Sequence, residues 1–396
     1  MQIVDLNKQL AIPPILRLGF RPFFLGGSVF ALLALPLWLL AVNGLTSDWQ
    51  PAGGWLAWHR HEMFFGFGAA IIAGFLLTAA QTWTGRPGLS GKPLAALAAL
   101  WLTGRLAWLA GAPAWLLLPV ELAFLPAVAL ILGRMLWQVR QTRNYPVVLV
   151  LLLMAVANTM VTVGVVTGNA LLQHRGGMTG AWVIVTLLGL IGGRVIPFFT
   201  RRGLDLKGKS TDLGWVDWLA LGGGVTMVAL TAAGLADQAH AAMAVLCFSL
   251  AFGHLQRTVH WYDHGIWRVP LLWSLHLAYG WLVVALFGLG LWHAGFIASL
   301  SLPLHALTVG AMSGAILAML ARVTLGHTGR ELVPPAAMKW AFALLHAGVL
   351  ARVGLVLLWP APALVLAAAC WTLAFGIFVW HYAPMMVRAR VDGHPG

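Results

Sequence analysis

Apolar residues along this chain come in runs of about 20, broken by short polar or glycine- and proline-bearing stretches, which is the length a bilayer-crossing helix needs. Twelve such runs are read, at roughly 19–43, 58–80, 93–111, 114–139, 146–167, 178–200, 213–235, 240–260, 270–293, 297–321, 336–358 and 361–383. Only Gly111-Ala112-Pro113 separates the third from the fourth, which predicts a tight helical hairpin. Gly222-Gly223-Gly224 weakens the seventh, because each glycine adds backbone freedom that a helix must give up. The pattern predicts an all-α, polytopic membrane helix bundle, a single integral membrane domain over residues 1–396. No internal repeat, inverted pair of halves, long linker or soluble domain is visible.

The basic residues sort cleanly onto these segments. One side receives Lys8, Arg17 and Arg21, then Arg86 and Lys92, then Arg134, Arg140 and Arg143. It also receives Arg201, Arg202, Lys207 and Lys209, then Arg257 and Arg268, then Arg322, Arg330 and Lys339, and last Arg388 and Arg390. The other side receives only Arg60 and Arg175, while Arg105, Arg194 and Arg352 fall inside spans. Lysine and arginine accumulate on the cytoplasmic side of membrane proteins, so the asymmetry predicts an even number of spans and cytoplasmic termini.

Composition narrows the class further. The chain is 60% apolar and 9% charged, whereas soluble domains carry about 25% charged residues; a soluble enzyme is excluded. The formal charge of +13 is scattered over short loops and forms no basic stripe, which argues against nucleic acid. Cys247 and Cys370, the two cysteines, both lie in apolar runs, so no disulfide framework is expected. There is no Cys-x-x-Cys-His for covalent haem attachment. Met1 to Arg17 is polar and the first apolar run is long enough to span and stay, so no cleaved leader is expected.

Fourteen histidines are the informative excess in so apolar a chain. An ionisable group inside a span is costly and points by default to function. Trp58-His59-Arg60-His61-Glu62-Met63 opens the second span. On a helix, His59 and His61 point about 200° apart and cannot face one metal. If the helix starts after them, an extended His-x-His chelates a single ion, with Glu62 orienting a ring nitrogen; the plain alternative is an interfacial cluster. His276 and His305 lie several residues inside the ninth and tenth spans. At α-helical spacing His305 shares a face with Thr308, Met312 and Met319, which reads either as core packing or as a surface for a metal or haem. His346 sits near mid-depth of the eleventh span.

Several arginines have two readings as well. In Arg322-Val323-Thr324-Leu325-Gly326-His327-Thr328-Gly329-Arg330, the arginines either pair the propionates of a membrane-embedded porphyrin or simply mark a positive loop. Arg194 precedes Pro197 at the inner end of the sixth span and either snorkels to the interface or serves the same anion. Arg352 has no acid close in sequence, so a propionate, Glu62 or Glu121 is its expected partner. Arg105 and Glu121 lie at matching distances from the Gly111–Pro113 turn, which predicts an ion pair. His254, His260, His264 and His381 are read as interfacial or solvent-facing.

Several of these stretches resemble the NnrS family. Trp58-His59-Arg60-His61-Glu62-Met63-Phe64-Phe65-Gly66, continuing through Ala73-Gly74-Phe75-Leu76-Leu77-Thr78-Ala79 to Trp83-Thr84-Gly85, is similar to its first signature. His305-Ala306-Leu307-Thr308-Val309-Gly310-Ala311-Met312 with the Arg322–Arg330 segment is similar to its second, and Arg21-Pro22-Phe23-Phe24 and Gly193-Arg194-Val195-Ile196-Pro197-Phe198-Phe199-Thr200 are lesser matches. The chain departs at Ser313, where glycine is expected, and at Arg60, where a smaller residue is commoner. The resemblance implies a bacterial inner-membrane protein of twelve helices that binds haem and copper and is associated with denitrification and resistance to nitric oxide. It falls on His59, His61, Glu62, His276, His305, His327 and Arg330. Without Cys-x-x-Cys-His the implied haem is b-type, held by side chains alone. Copper accepts imidazole nitrogen and, when reduced, thioether sulfur.

The expectation is therefore a haem b and copper protein that binds or detoxifies nitric oxide and protects against nitrosative stress. Its cofactor residues are His276, His305, Arg322, Arg330, Arg352 and Arg194, and its metal ligands His59, His61, His276, His305 and His327. Nitric oxide partitions into lipid, so a site within the bilayer has a ready entry path. Two other classes compete: a quinol-linked haem–copper-type reductase, and a transporter of a metal or small solute with a histidine relay. The first lacks the adjacent histidine pair expected on the seventh span; the second lacks the paired broken helices of many transporters.

Overall fold

A computed structural model describes residues 6–46, 48–206 and 213–394. After a short helix, Leu6–Leu10, twelve long helices follow among the described residues. They are α1 (Phe20–Val42), α2 (Gly54–Thr84), α3 (Gly91–Leu109), α4 (Ala114–Gln138), α5 (Tyr145–Val166), α6 (Ala170–Gly203), α7 (Gly214–Ala232), α8 (Ala241–Trp261), α9 (Pro270–His293), α10 (Ser301–His327), α11 (Met338–Val353) and α12 (Pro360–Val387). No strand occurs among these residues, so the all-α polytopic expectation holds. Eleven of the twelve are long and apolar enough to cross a membrane; α3, which carries Lys92 and Arg105 in its 19 residues, is the one that is not.

Several elements differ from the hydropathy reading. The second helix begins at Gly54, not after the histidines, because Gly53 takes the left-handed conformation (φ +68°) that turns the chain into the helix. His59 and His61 therefore both lie on α-helix. Three long helices are also interrupted by π-helical segments: Glu62–Gly68 in α2, Leu188–Gly192 in α6 and Ala306–Met312 in α10. Each is an i→i+5 stretch that widens the helix without breaking it, and such segments concentrate at functional positions. The third removes the α-helical register on which a shared face for His305, Thr308 and Met312 was counted.

The chain packs as two compact units. Unit 1 comprises residues up to Gly177, Leu320–Pro335 and the chain from Phe375 on; unit 2 comprises Met178–Met319 and Ala336–Ala374. Unit 1 is organised around α2, which packs against α1, α3, α4 and α5 and is the most enclosed of the candidate spans. Its aromatic core includes Trp55, Trp58 and Trp108, joined by Ala34, Met63 and Leu117. Unit 2 is organised around α9, which packs against α6, α8, α10 and α11. Both central helices carry candidate histidines, so the polar groups sit where lipid cannot reach them.

The two ends of unit 1 meet. Arg21, at the start of α1, donates from Nη1 to the carbonyls of Met386 (2.8 Å) and Arg388 (2.7 Å) at the end of α12. The beginning of the first long helix and the end of the last thus lie on one side.

Candidate functional site

In unit 1, five side chains from α2, α3, α4 and α5 form a closed buried network. His61 and Glu62 come from α2, Arg105 from α3, Glu121 from α4 and Asn158 from α5. His61 Nδ1 lies 2.9 Å from Glu62 Oε1, and Nε2 lies 2.8 Å from Asn158 Oδ1 and 3.3 Å from Glu121 Oε1. Arg105 pairs with Glu121 through Nη2 and with Glu62 through Nε at 3.0 Å, and gives Nη1 to the Phe65 carbonyl at 3.0 Å. Asn158 Nδ2 donates to Glu121 Oε1 at 3.0 Å, which fixes its Oδ1 toward His61. Trp108 stacks on the imidazole with ring centres 3.9 Å apart.

Both nitrogens of His61 face acceptors, so both donate and the ring is an imidazolium. Two carboxylates, one guanidinium and one imidazolium then sum to zero, so each buried charge has an opposite partner to offset its desolvation. The π-segment makes room for it. A Cβ on Gly66 would collide with the Glu62 carboxylate and come within 3.2 Å of Arg105 Cδ. The Arg105–Glu121 pair expected from their matching depth is present. Asn158 carried a weaker signal, a lone amide in an otherwise apolar span, and was missed.

The geometry separates His59 from His61. The helix sends their side chains in different directions: His59 lies flat on Trp38, ring centres 4.5 Å apart, while His61 enters the ionic network. In this arrangement His61 offers no lone pair to a metal, and a His-x-His chelate does not form because the segment is helical rather than extended. Also in unit 1, Arg322 is buried, and His327 and Arg330 are half-buried at the end of α10.

Unit 2 holds the remaining candidates. His305 ends the first turn of α10, immediately before the π-segment. Its Nδ1 lies 2.7 Å from the Ser301 carbonyl and donates to it, which places the lone pair on Nε2. Arg352 of α11 donates from Nη2 to Ser301 Oγ at 2.9 Å, so Ser301 couples the arginine to the histidine. His276 of α9 lies 2.9 Å from Thr200 Oγ1. Because Thr200 gives its own proton to the Ile196 carbonyl (2.8 Å), it accepts from His276 Nε2, and the lone pair of His276 is on Nδ1. His346 of α11 is buried and its Nδ1 has no hydrogen-bond partner among the described residues. Arg194 stands half-buried two residues after the π-segment of α6.

A second buried network in unit 2 corrects the reading of His254 as interfacial. Its residue is 1% exposed, because α8 turns that face onto α9 rather than into solvent. Arg257 pairs with Asp217 and donates from Nη1 to the Gly189 carbonyl (2.8 Å) and to Tyr279 Oη (3.2 Å). Tyr279 therefore gives its own proton to His254 Nδ1, 2.7 Å away. The imidazole proton is left on Nε2, which has no hydrogen-bond partner among the described residues.

A family profile described as NnrS protein matches residues 14–390, nearly the whole chain. The chain belongs to the NnrS family. Membership links this membrane protein to the nitric oxide response. No curated protein matches the chain.

The NnrS resemblance brings haem and copper, and the residues of this chain fit the two differently. Metal-ligating histidines almost always donate their second ring nitrogen to a carbonyl or carboxylate, which fixes the ligating nitrogen. His305 is in that state through Ser301. Its Nε2 would be available to hold a haem. Among the described residues no three histidine, cysteine, aspartate or glutamate side chains group as a metal site. His61, with both ring nitrogens facing acceptors, offers copper no lone pair, and no step is derived through copper.

Proposed function

We propose that this membrane protein holds a b-type haem in unit 2, where His305 would be the residue that holds it, and uses it to bind nitric oxide and lower its level during denitrification in a bacterial inner membrane. The single observation that carries this reading is the hydrogen bond from His305 Nδ1 to the Ser301 carbonyl, which presets the Nε2 lone pair before any metal arrives. When bound, the haem supplies an iron centre with affinity for nitric oxide. The protein residues orient and shield it. Ser301, held by Arg352, fixes the imidazole plane; Arg352 and Arg194 are the guanidinium groups of unit 2 suited to propionates, and His276 and His346 supply further neutral imidazoles. The apolar helices around the site admit a hydrophobic gas and exclude ions.

The test is an optical spectrum of the detergent-purified protein, oxidised and dithionite-reduced, before and after nitric oxide. Sharp reduced bands that shift with nitric oxide support the reading, and His305→Ala removes or displaces them. A flat spectrum from protein made with ample haem and iron overturns it, and transport of a metal or small solute then leads.

A further inference from the structure

Unit 1 contains a second charged locus, away from the His61 network. Arg21 is fully buried, 0% exposed. Its Nη1 is committed to the Met386 and Arg388 carbonyls, but Nε and Nη2 have no hydrogen-bond partner among the described residues. These two form one edge of the guanidinium, the pair of parallel N–H groups that matches two oxygens of an oxyanion. A buried charged donor left unfilled costs far more than an exposed one.

The surroundings deepen the deficit. The charges acting on Arg21 are those of Arg17, Arg390 and Arg330, all of its own sign, and His327 lies within the field of Arg21 and Arg390. The one carboxylate of the tail, Asp392, is already held by Arg390, through Nε at 2.9 Å and Nη2 at 2.5 Å. Arg390 also donates to the His327 carbonyl at 3.1 Å, which fastens the tail to the end of α10. Gly329 shapes that seat: its φ is +75° and a Cβ there would meet Asp392 Cγ at 2.7 Å. Three further guanidinium groups thus act on Arg21, while the one carboxylate of the tail is engaged by Arg390.

We propose that the Nε–Nη2 edge of Arg21 binds a phosphate-type oxyanion, with Arg17 and Arg330 completing its charge. The positive excess and the paired parallel donors favour the several oxygens of a phosphate group over a monocarboxylate. Both an anionic lipid headgroup and free phosphate carry this chemistry.

The experiment uses the full chain in a phosphorus-free detergent and phosphate-free buffer. Total phosphorus per protein is measured first, and the delipidated protein is then titrated by thermal shift with inorganic phosphate, phosphatidylglycerol micelles and acetate. Stabilisation by phosphatidylglycerol alone assigns a lipid headgroup; stabilisation by inorganic phosphate as well assigns a free-phosphate site. Arg21→Gln also releases the tail, so Arg330→Gln bears the decision: Arg330 makes only a long 3.4 Å contact, from Nη1 to the Thr328 carbonyl, among the described residues. It should weaken the response roughly tenfold, as loss of a charge-assisted contact does. Acetate acting as well as phosphate, no response in the native protein, or an unchanged response in Arg330→Gln each overturns the proposal.

Discussion

Replacing Glu121 by glutamine tests the charge balance of the buried network most directly. The substitution keeps the shape but leaves Arg105 and His61 facing Glu62 alone, so a neutral cluster acquires one uncompensated positive charge. It also turns an amide NH₂ or a weaker acceptor toward Arg105 and Asn158. Breaking a buried ion pair from one side costs about 3–5 kcal/mol. At about 2–4 °C per kcal/mol, the melting temperature in detergent should fall by roughly 6–20 °C. Arg105→Gln alone should cost a similar amount by leaving the cluster negative. The double variant restores neutrality, with Glu62 against the His61 imidazolium. Its loss should fall short of the sum of the two single losses by a coupling of about 1–3 kcal/mol. Melting temperatures of the four proteins, measured by tryptophan fluorescence at one pH and detergent concentration, decide the matter. A double variant whose loss equals the sum of the two singles refutes the charge-balance argument and the assignment of His61 as an imidazolium.

Other consequences are more local. Gly66→Ala should destabilise by about 1–3 kcal/mol, because its methyl meets the Glu62 carboxylate; thermal unfolding reads this, and an unchanged melting temperature would mean the π-segment can shift. Tyr279→Phe leaves His254 Nδ1 without its donor and Arg257 without one acceptor, for a loss of about 1–3 kcal/mol in the same assay. Ser301→Ala keeps the carbonyl that His305 uses but loses the Oγ bond from Arg352, so haem retention should drop about tenfold while folding is preserved; equal retention would sever Arg352 from the site. The Arg390 guanidinium holds the Asp392 carboxyl well below its ordinary range. Its folded pKa is depressed, so the tail contact is complete at pH values above that range and is lost only as the solution is acidified through and beyond it. Hydrogen exchange at residues 388–394 should be flat from about pH 8 to pH 5 once corrected for intrinsic rate; loosening within that window would contradict the pairing.

The apolar runs were enough to locate every long helix, since a membrane span declares itself by length and composition. Arg105 and Glu121 were readable as partners because charges are rare there and a three-residue turn fixes their relative depth. His305 stood out for the same reason. The reading failed where information lies in hydrogen-bond choice rather than composition. The π-segments leave no mark in hydropathy, yet that in α10 moves Thr308 and Met312 off the register counted from His305. Asn158 is uncharged, and His254 lies close enough to a span end to be mistaken for an anchor; only the packing of α8 on α9 buries it against Tyr279. His59 and His61 were legible as a pair of residue types but not as a pair of directions, because that depended on a helix starting at Gly54 rather than beyond them.

The contact between Arg21 and Met386 joins residues 365 positions apart. At about 5–20 residues per second, the ribosome needs roughly 20–70 s to deliver the second partner after the first has been made. Throughout that interval an inserted guanidinium waits without the carbonyls that will satisfy it. A nascent chain that has not yet made α12 therefore differs from one that has: its Arg21 lacks these two carbonyls, and α1 is not yet tied to α12. The stability of α1, begun at Phe20, in this way depends on a helix that starts only at Pro360.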